Sequence, residues 1–121
     1  MKWAFKDGIP IYTQIVSQFK SFVLSGEFQP GQQVPPVREL AIDAGVNPNT
    51  MQRALAELER EGLLYSVRTT GRFVTEDTSI LNDLRRDLGN SYIEDLFNNL
   101  NKLGMSDDEI VYAVQQWAKG E

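Results

Sequence analysis

Cysteine and histidine are both absent from the sequence. Their absence excludes disulfides, the usual zinc sites and the nucleophile–histidine pairs of serine and cysteine hydrolases. The densest acidic cluster, Asp107-Asp108-Glu109, directly follows Ser106, a pattern typical of the first turn of a helix. The sequence also lacks a glycine-rich phosphate loop and an interior carboxylate pair. We therefore expect a protein without enzymatic activity, cofactor or metal.

Long hydrophobic runs are missing as well. Stretches such as residues 63–65 fall far short of the roughly 20 apolar residues that a membrane span needs, and residues 1–3 begin no signal-peptide pattern. Hydrophobic residues make up 41% and charged residues 24% of the 121 residues, which is typical of a chain that folds. These features predict a cytoplasmic protein without a membrane partner, built as one small domain with a compact appendage.

Negative charge dominates the chain, with a net charge of −5, but it is unevenly distributed. Residues 1–75 carry eight Lys or Arg against seven Asp or Glu, whereas residues 76–121 carry four against ten. Two windows in the first part, residues 44–56 and 62–75, contain arginine as their only charged residue type. These windows can approach a phosphate backbone without repulsion.

Three helices are predicted in the first part of the chain. Pro10 precedes an apolar series with three- and four-residue spacing that ends before Gly26. A second helix begins at Pro36 and is stopped by Gly45, and a third begins two residues later with Asn47 as its N-cap. Two short helices joined by so tight a turn, after a supporting helix, are typical of a helix-turn-helix.

Two short strands are predicted after the third helix, over residues 63–66 and 72–75, with residues 67–71 as the turn. A hairpin beside a helix-turn-helix is a wing. The predicted fold class is therefore α+β, with an N-terminal winged helix-turn-helix DNA-binding domain over residues 1–75. A short C-terminal α-helical dimerisation hairpin over residues 76–121 follows it.

The C-terminal segment has the apolar pattern of two amphipathic helices. Helical spacing runs from Ile80 to Leu103, with a break at Gly89 as an open alternative, and Ser106 with Glu109 forms a capping box for a last helix. One such hairpin cannot cover all of its own apolar side chains, so we expect a homodimer. The residues predicted to form its interface are Leu84, Leu88, Leu96, Leu100, Ile110 and Val114.

Several motifs between residues 10 and 74 follow the order and intervals of a known family. The sequence resembles the GntR family of bacterial regulators and, within it, the short YtrA-type subfamily. Other branches carry a much larger domain after the wing, for which the roughly 45 remaining residues are too few. The matching segments are PIYTQI (10–15), LSG (24–26), PG (30–31), PPVRELA (35–41), VNPNT (46–50), RA (53–54), LEREG (58–62) and GRFV (71–74).

The resemblance implies a sequence-specific transcription regulator, and repression of a transporter operon is common in the subfamily. The implied partner is a double-stranded DNA operator with inverted-repeat symmetry. Whether a small-molecule effector exists is unknown from the sequence. The resemblance also implies that Arg38 contacts DNA, with an ion pair to Glu39 or Asp43 as the alternative.

Further DNA contacts are expected from two elements. Polar side chains early in the second helix of the motif reach base edges, and arginines in the wing suit the phosphate backbone or the minor groove. Solvated polar side chains and an ordinary hairpin turn are the alternatives. The expected DNA-binding residues are Asn49, Thr50, Gln52 and Arg53 in the helix and Arg68, Thr70, Gly71 and Arg72 in the wing.

Two positions depart from the family pattern. Pro36 stands where the family usually has a serine that caps the helix, and Thr69 stands near the wing tip where glycine is usual. A competing hypothesis is a winged-helix module for protein–protein or RNA binding. It predicts an exposed aromatic strand face, which the sequence pattern does not indicate.

Overall fold

The computed structural model describes residues 1–120, and these contain five helices and one two-stranded sheet. Within these residues the chain forms two compact units, Met1–Leu84 and a second from Arg85 onward. The predicted α+β class is confirmed. The elements are α1 (Ile11–Leu24), α2 (Val37–Ala44), α3 (Pro48–Arg60), β1 (Leu64–Val67), β2 (Gly71–Val74), α4 (Thr78–Lys102) and α5 (Asp107–Ala118).

The boundary between α2 and α3 follows its sequence signals, whereas the start of α2 is shifted by one residue. The side chain of Asn47 accepts a hydrogen bond from the backbone N–H of Asn49 at 2.7 Å, so that Pro48 begins α3. Gly45 ends α2 with a φ of 70°, a conformation that glycine adopts without strain. Pro36 is the N-cap of α2 and not its first helical residue, because its ψ of 153° is extended.

The hydrophobic core of the first unit lies between the three helices and the hairpin. Four residues of α1 are buried in it at helical spacing, and the rings of Phe19 and Phe28 stack with their centroids 4.9 Å apart. Burial of each large apolar side chain stabilises the fold by about 1.5–3 kcal/mol. The buried residues are Ile15, Val16, Phe19, Val23, Phe28, Val34, Leu40, Ala41, Met51, Ala54, Leu55, Leu58, Leu63, Leu64 and Val74.

The wing is an antiparallel hairpin in which Leu64 pairs with Val74 and Val67 with Gly71. The chain before α2 runs along the other edge of β2. The N–H of Val34 donates to the carbonyl of Arg72 at 2.8 Å, and that of Gly31 donates to the carbonyl of Val74 at 2.8 Å. These bonds fix the wing to the segment that leads into the helix-turn-helix.

Helix α4 runs without a break through Gly89, so the predicted alternative of an interruption there is not observed. Leu81 and Leu84, in its first turns, pack against the core of the first unit. The first unit therefore extends beyond residue 75, where the pattern in the sequence changes. No helix within residues 1–120 has an apolar stretch long enough to cross a membrane.

Helix α5 begins at the predicted capping box. The Ser106 hydroxyl accepts from the N–H of Glu109 at 3.2 Å, and the Glu109 carboxylate accepts from the N–H of Ser106 at 3.1 Å. In the described part of the second unit, Ile110 is the one buried hydrophobic residue. Most apolar side chains of this unit therefore remain on its surface.

Candidate nucleic-acid interface

The outer face of α3 is polar and exposed. Met51, Ala54, Leu55 and Leu58 are buried on the opposite face, so helical geometry turns the remaining side chains outward. Thr50 is half-buried at the edge of this face. The exposed face consists of Asn49, Gln52, Arg53, Ala56 and Arg60.

Arg53 lies against the ring of Tyr12 from α1. Its Cζ atom is 3.6 Å from the ring centroid, close enough for a cation–π interaction. Such a contact at an exposed site contributes about 0.5–1 kcal/mol. Tyr12 therefore restricts the positions that the Arg53 guanidinium can take at the surface of α3.

Arg72 connects the wing to α3. Its Nε donates to Glu59 Oε1 at 2.8 Å, and its Nη1 donates to Gln52 Oε1 at 3.3 Å. The Arg72 side chain is only 19% exposed. The positive charge of Arg72 is thus paired with Glu59 within the chain, and its predicted contact with DNA stays a prediction.

Glu59 is held from two sides. The Ser66 hydroxyl of β1 donates to its carboxylate, as does Arg72 of β2. The hydrogen bond from Ser66, followed by that from Arg72, lowers the pKa of Glu59 despite partial desolvation. The carboxylate therefore stays ionised and links α3 to the wing through these two hydrogen bonds.

The wing tip is strained at Thr69, which has a φ of 65°. A β-branched residue rarely adopts this left-handed conformation, for which the family pattern supplies glycine. Gln33 supports the tip, because its Nε2 donates to the carbonyl of Thr70 at 2.8 Å. Arg68, Thr70 and Gly71 are exposed around this tip.

Comparison with known proteins agrees with this arrangement of α2, α3 and wing. Residues 11–74 match the family of bacterial regulatory proteins called the gntR family. The chain belongs to the GntR family. It is therefore a DNA-binding transcriptional regulator with a winged helix-turn-helix.

Two curated GntR relatives come from Bacillus subtilis strain 168. The uncharacterized HTH-type transcriptional regulator YhcF is 34% identical over 116 residues, which cover 96% of each chain. The HTH-type transcriptional repressor YtrA is 43% identical over 72 residues, which cover 60% of this chain and 55% of YtrA. The resemblance to GntR regulators of the YtrA type is confirmed.

Two solved structures are also similar to this GntR chain. A GntR family transcriptional regulator from Listeria monocytogenes has a TM-score of 0.84 at 38% identity, with coverage of 93% of this chain and 98% of that chain. AraR(DBD) in complex with operator ORX1 has a TM-score of 0.56 at 31% identity, with coverage of 62% and 96%. The second likeness relates the winged helix-turn-helix of this GntR protein to one seen on an operator.

Arg38 lies exposed on α2 of this GntR protein. Within residues 1–120 it forms no ion pair, and Asp43 instead accepts a hydrogen bond from Trp3 Nε1 at 2.9 Å. The alternative of an ion pair with Glu39 or Asp43 is therefore not observed.

An open groove of about 570 Å³ separates the start of α2 from the wing and includes Pro36, Arg68 and Arg72 in its walls.

The residues predicted to pair two GntR chains fall into two groups. Leu96, Leu100 and Val114 line an apolar groove that is completed by Ala113 and Trp117, and Leu88 is half-buried. Leu84 instead packs on the core of the first unit, and Ile110 is 0% exposed within its own chain. Ile110 is thus covered within its own chain, and Leu84 is partly covered by the core on which α4 begins.

Sequence reasoning missed the residues that hold the recognition side chains. Tyr12 is 41 positions from Arg53, and Glu59 is 13 from Arg72. No local spacing rule links residues so far apart. One signal could have indicated the pairing of Glu59 with Arg72. Glu59 lies just outside the two windows free of acidic residues, on a helix predicted to precede the wing.

Proposed function

We propose that this protein is a sequence-specific repressor that binds an inverted-repeat operator as a homodimer. The observation that carries this proposal is the exposed polar face of α3, on which Gln52 and Arg53 are each held by a neighbouring element. Side chains held in place before binding lose less conformational entropy when they contact DNA. In the proposal, α3 enters the major groove and presents these two side chains to base edges.

The other predicted contacts take positioning roles around α3. Asn49 and Thr50 lie at the start of the helix, where they approach the bases or the adjoining phosphates. Arg38 on α2 and Arg68, Thr70 and Gly71 at the wing tip contact the backbone on either side. Arg72 keeps Glu59 as its partner, so its contribution to phosphate binding is smaller than that of Arg68.

The apolar groove of the second unit supports the homodimer. Trp117 is 82% exposed and Val114 is 41% exposed at this groove. Exposed aromatic and aliphatic side chains that form one patch are typical of an interface. A second copy of the chain is the simplest partner, because two copies place two recognition helices on one DNA duplex.

The name of YtrA as a repressor and the resemblance to its subfamily support repression as the mode of action. On the same resemblance, the proposed target is an operon that encodes a transporter. Deletion of the gene should raise the transcripts of such an operon, and transcript sequencing of the deletion strain measures this. Lowered transcripts at the bound sites would instead indicate an activator.

One observation favours the competing RNA- or protein-binding module. Tyr65 and Phe73 stack across the hairpin with centroids 5.7 Å apart, and Tyr65 is 41% exposed. The sequence pattern did not indicate this aromatic pair. A single pair with one exposed ring offers a smaller surface than the polar face of α3, so duplex DNA remains the proposed partner.

The test is selection of fragments from a random duplex DNA library by the purified protein, followed by sequencing. We expect an enriched inverted repeat, and sedimentation analysis should give one dimer on each duplex. Enrichment of a single unrepeated site, or a monomer on the DNA, would contradict the homodimer. A protein that enriched no duplex but retained single-stranded RNA would favour the alternative.

A further inference from the structure

Gln52 is held by a chain of side chains that begins in the wing. Glu59 anchors the Arg72 guanidinium at 2.8 Å through Nε, and Arg72 Nη1 reaches Gln52 Oε1 at 3.3 Å. Arginine donates hydrogen bonds and accepts none. It therefore selects the carbonyl end of the Gln52 amide and leaves the NH2 end free.

We propose that Arg72 is a positioning residue that orients the amide of Gln52 so that its NH2 group faces the DNA. Gln52 then donates hydrogen bonds to a base whose major-groove edge carries only acceptors, and guanine is the base that fits best. This inference rests on the proposed function, in which α3 lies in the major groove. It assigns Arg72 a part in specificity and not only in affinity. Glu59 acts indirectly, because its hydrogen bond with Arg72 fixes the position of the Arg72 guanidinium.

The choice between guanine and adenine follows from the two ends of an amide. Guanine presents two acceptors, N7 and O6, at its major-groove edge, whereas adenine presents the acceptor N7 beside the donor N6. A glutamine that is free to turn pairs bidentately with adenine, because its carbonyl accepts from N6 while its NH2 donates to N7. A carbonyl turned toward the wing cannot complete that pair, so the free NH2 favours guanine.

Several hydrogen bonds hold Arg72 and Glu59 in place on the wing side. Ser66 and Arg72 face each other across the hairpin, and both donate to the Glu59 carboxylate. The backbone carbonyl of Arg72 also accepts from Val34 at 2.8 Å. The guanidinium therefore has one preferred position from which to reach Gln52.

The decisive experiment compares Arg72→Lys with Arg68→Lys in selections from the same random duplex DNA library. Both variants keep the positive charge of the wing, but lysine lacks the planar fork with which arginine reaches two partners. Arg68 does not contact Gln52 and serves as the matched control. We expect Arg72→Lys to shift one position of each half-site from guanine toward adenine by about tenfold, the scale of one bidentate pair. We expect Arg68→Lys to leave that preference unchanged.

Two further variants keep the test decisive. Gln52→Ala should remove the preference at the same position and so identify the base that Gln52 contacts. Glu59→Gln keeps the size of the anchor but removes its charge, and it should shift the preference in the same direction as Arg72→Lys. Thermal unfolding and sedimentation of each variant establish whether the folded dimer is retained. If Arg72→Lys does not fold, a shift of the base preference from guanine toward adenine in Glu59→Gln alone supports the inference.

Three results would overturn the inference. The first is a wild-type operator with adenine at the position that Gln52→Ala identifies. The second is a guanine preference that persists at that position in Arg72→Lys. The third is an equal change of base preference at that position in Arg72→Lys and Arg68→Lys. The last two would make Arg72 a simple phosphate contact. A wild-type protein that enriched no sequence would overturn the proposed function, and this inference with it.

Discussion

The two units of the chain use apolar residues in opposite ways. In Met1–Leu84, fifteen apolar side chains are buried in one core, whereas from Arg85 to residue 120 only Ile110 is buried. The second unit instead exposes large apolar side chains, namely Tyr92, Ile93, Leu96, Leu103, Val111, Tyr112, Val114 and Trp117. The first unit covers most of its large apolar side chains within its own core, whereas the second leaves most of its own exposed, as expected if the proposed dimer forms there.

Helical periodicity alone does not distinguish these two situations. Helix α1 and helix α5 both have their apolar residues on one face. The face of α1 packs against α3 in the core of the first unit, while that of α5 lies against only part of α4. The number of elements available to cover a face, and not the pattern on it, decides whether the face is buried within the chain or left exposed.

The largest expected effect comes from the core of the first unit. Phe19→Ala should lower the free energy of unfolding by about 3–5 kcal/mol, because Phe19 is completely buried and stacks on Phe28. Urea unfolding followed by circular dichroism measures the change. Ile42→Ala, at an 81% exposed position of α2, is the control and should change it by less than about 0.5 kcal/mol. Equal losses in the two variants would mean that this core does not stabilise the unit.

A smaller effect is expected at the groove of the second unit. Val114→Asp should weaken the proposed dimer by about 10- to 100-fold, because association would bury an unpaired carboxylate against Leu96, Leu100 and Trp117. Sedimentation equilibrium at several protein concentrations measures the dissociation constant. Gln115→Asp adds the same charge to an exposed position of α5 that does not line the groove, and should leave the constant nearly unchanged. A dimer weakened equally by both substitutions would place the interface elsewhere.

The smallest effect is expected at the strained wing tip. Thr69→Gly should stabilise the fold by about 0.5 kcal/mol, since removal of the left-handed strain slightly exceeds the entropy cost of glycine. Thr70→Gly is the neighbouring control and should destabilise, because φ is positive only at Thr69 among the described non-glycine residues. Thermal unfolding of both variants decides the sign. A lower melting temperature for Thr69→Gly would show that the threonine side chain compensates for its backbone.

Most of the fold could be predicted from local signals. Asn47 with Pro48, Gly45, and Ser106 with Glu109 each end or begin a helix through a contact between residues at most a few positions apart. Such contacts depend on the backbone geometry of one helix end, which the sequence specifies directly. The wing followed in the same way from two short strands around a turn.

The candidate site was predictable only as a set of exposed polar positions. The windows free of acidic residues contain the exposed polar part of α3 and the wing hairpin, but tertiary packing brings Glu59 onto Arg72 from outside both windows. Leu84 was likewise assigned by periodicity to the second unit, although the start of α4 packs it against the first. The roles of the individual DNA-contact residues remain predictions.

The distribution of the two tryptophans has a spectroscopic consequence. Trp3 is half-buried in the first unit, packed edge-on against Phe22 at 4.9 Å and hydrogen-bonded to Asp43, whereas Trp117 is largely exposed in the second. Indole emission moves to shorter wavelengths as water leaves the ring. With Trp117 replaced by Phe, fluorescence reports on the winged unit alone, and with Trp3 replaced it reports on the helical unit alone. Each half of the protein thus carries its own optical reporter, without a chemical label.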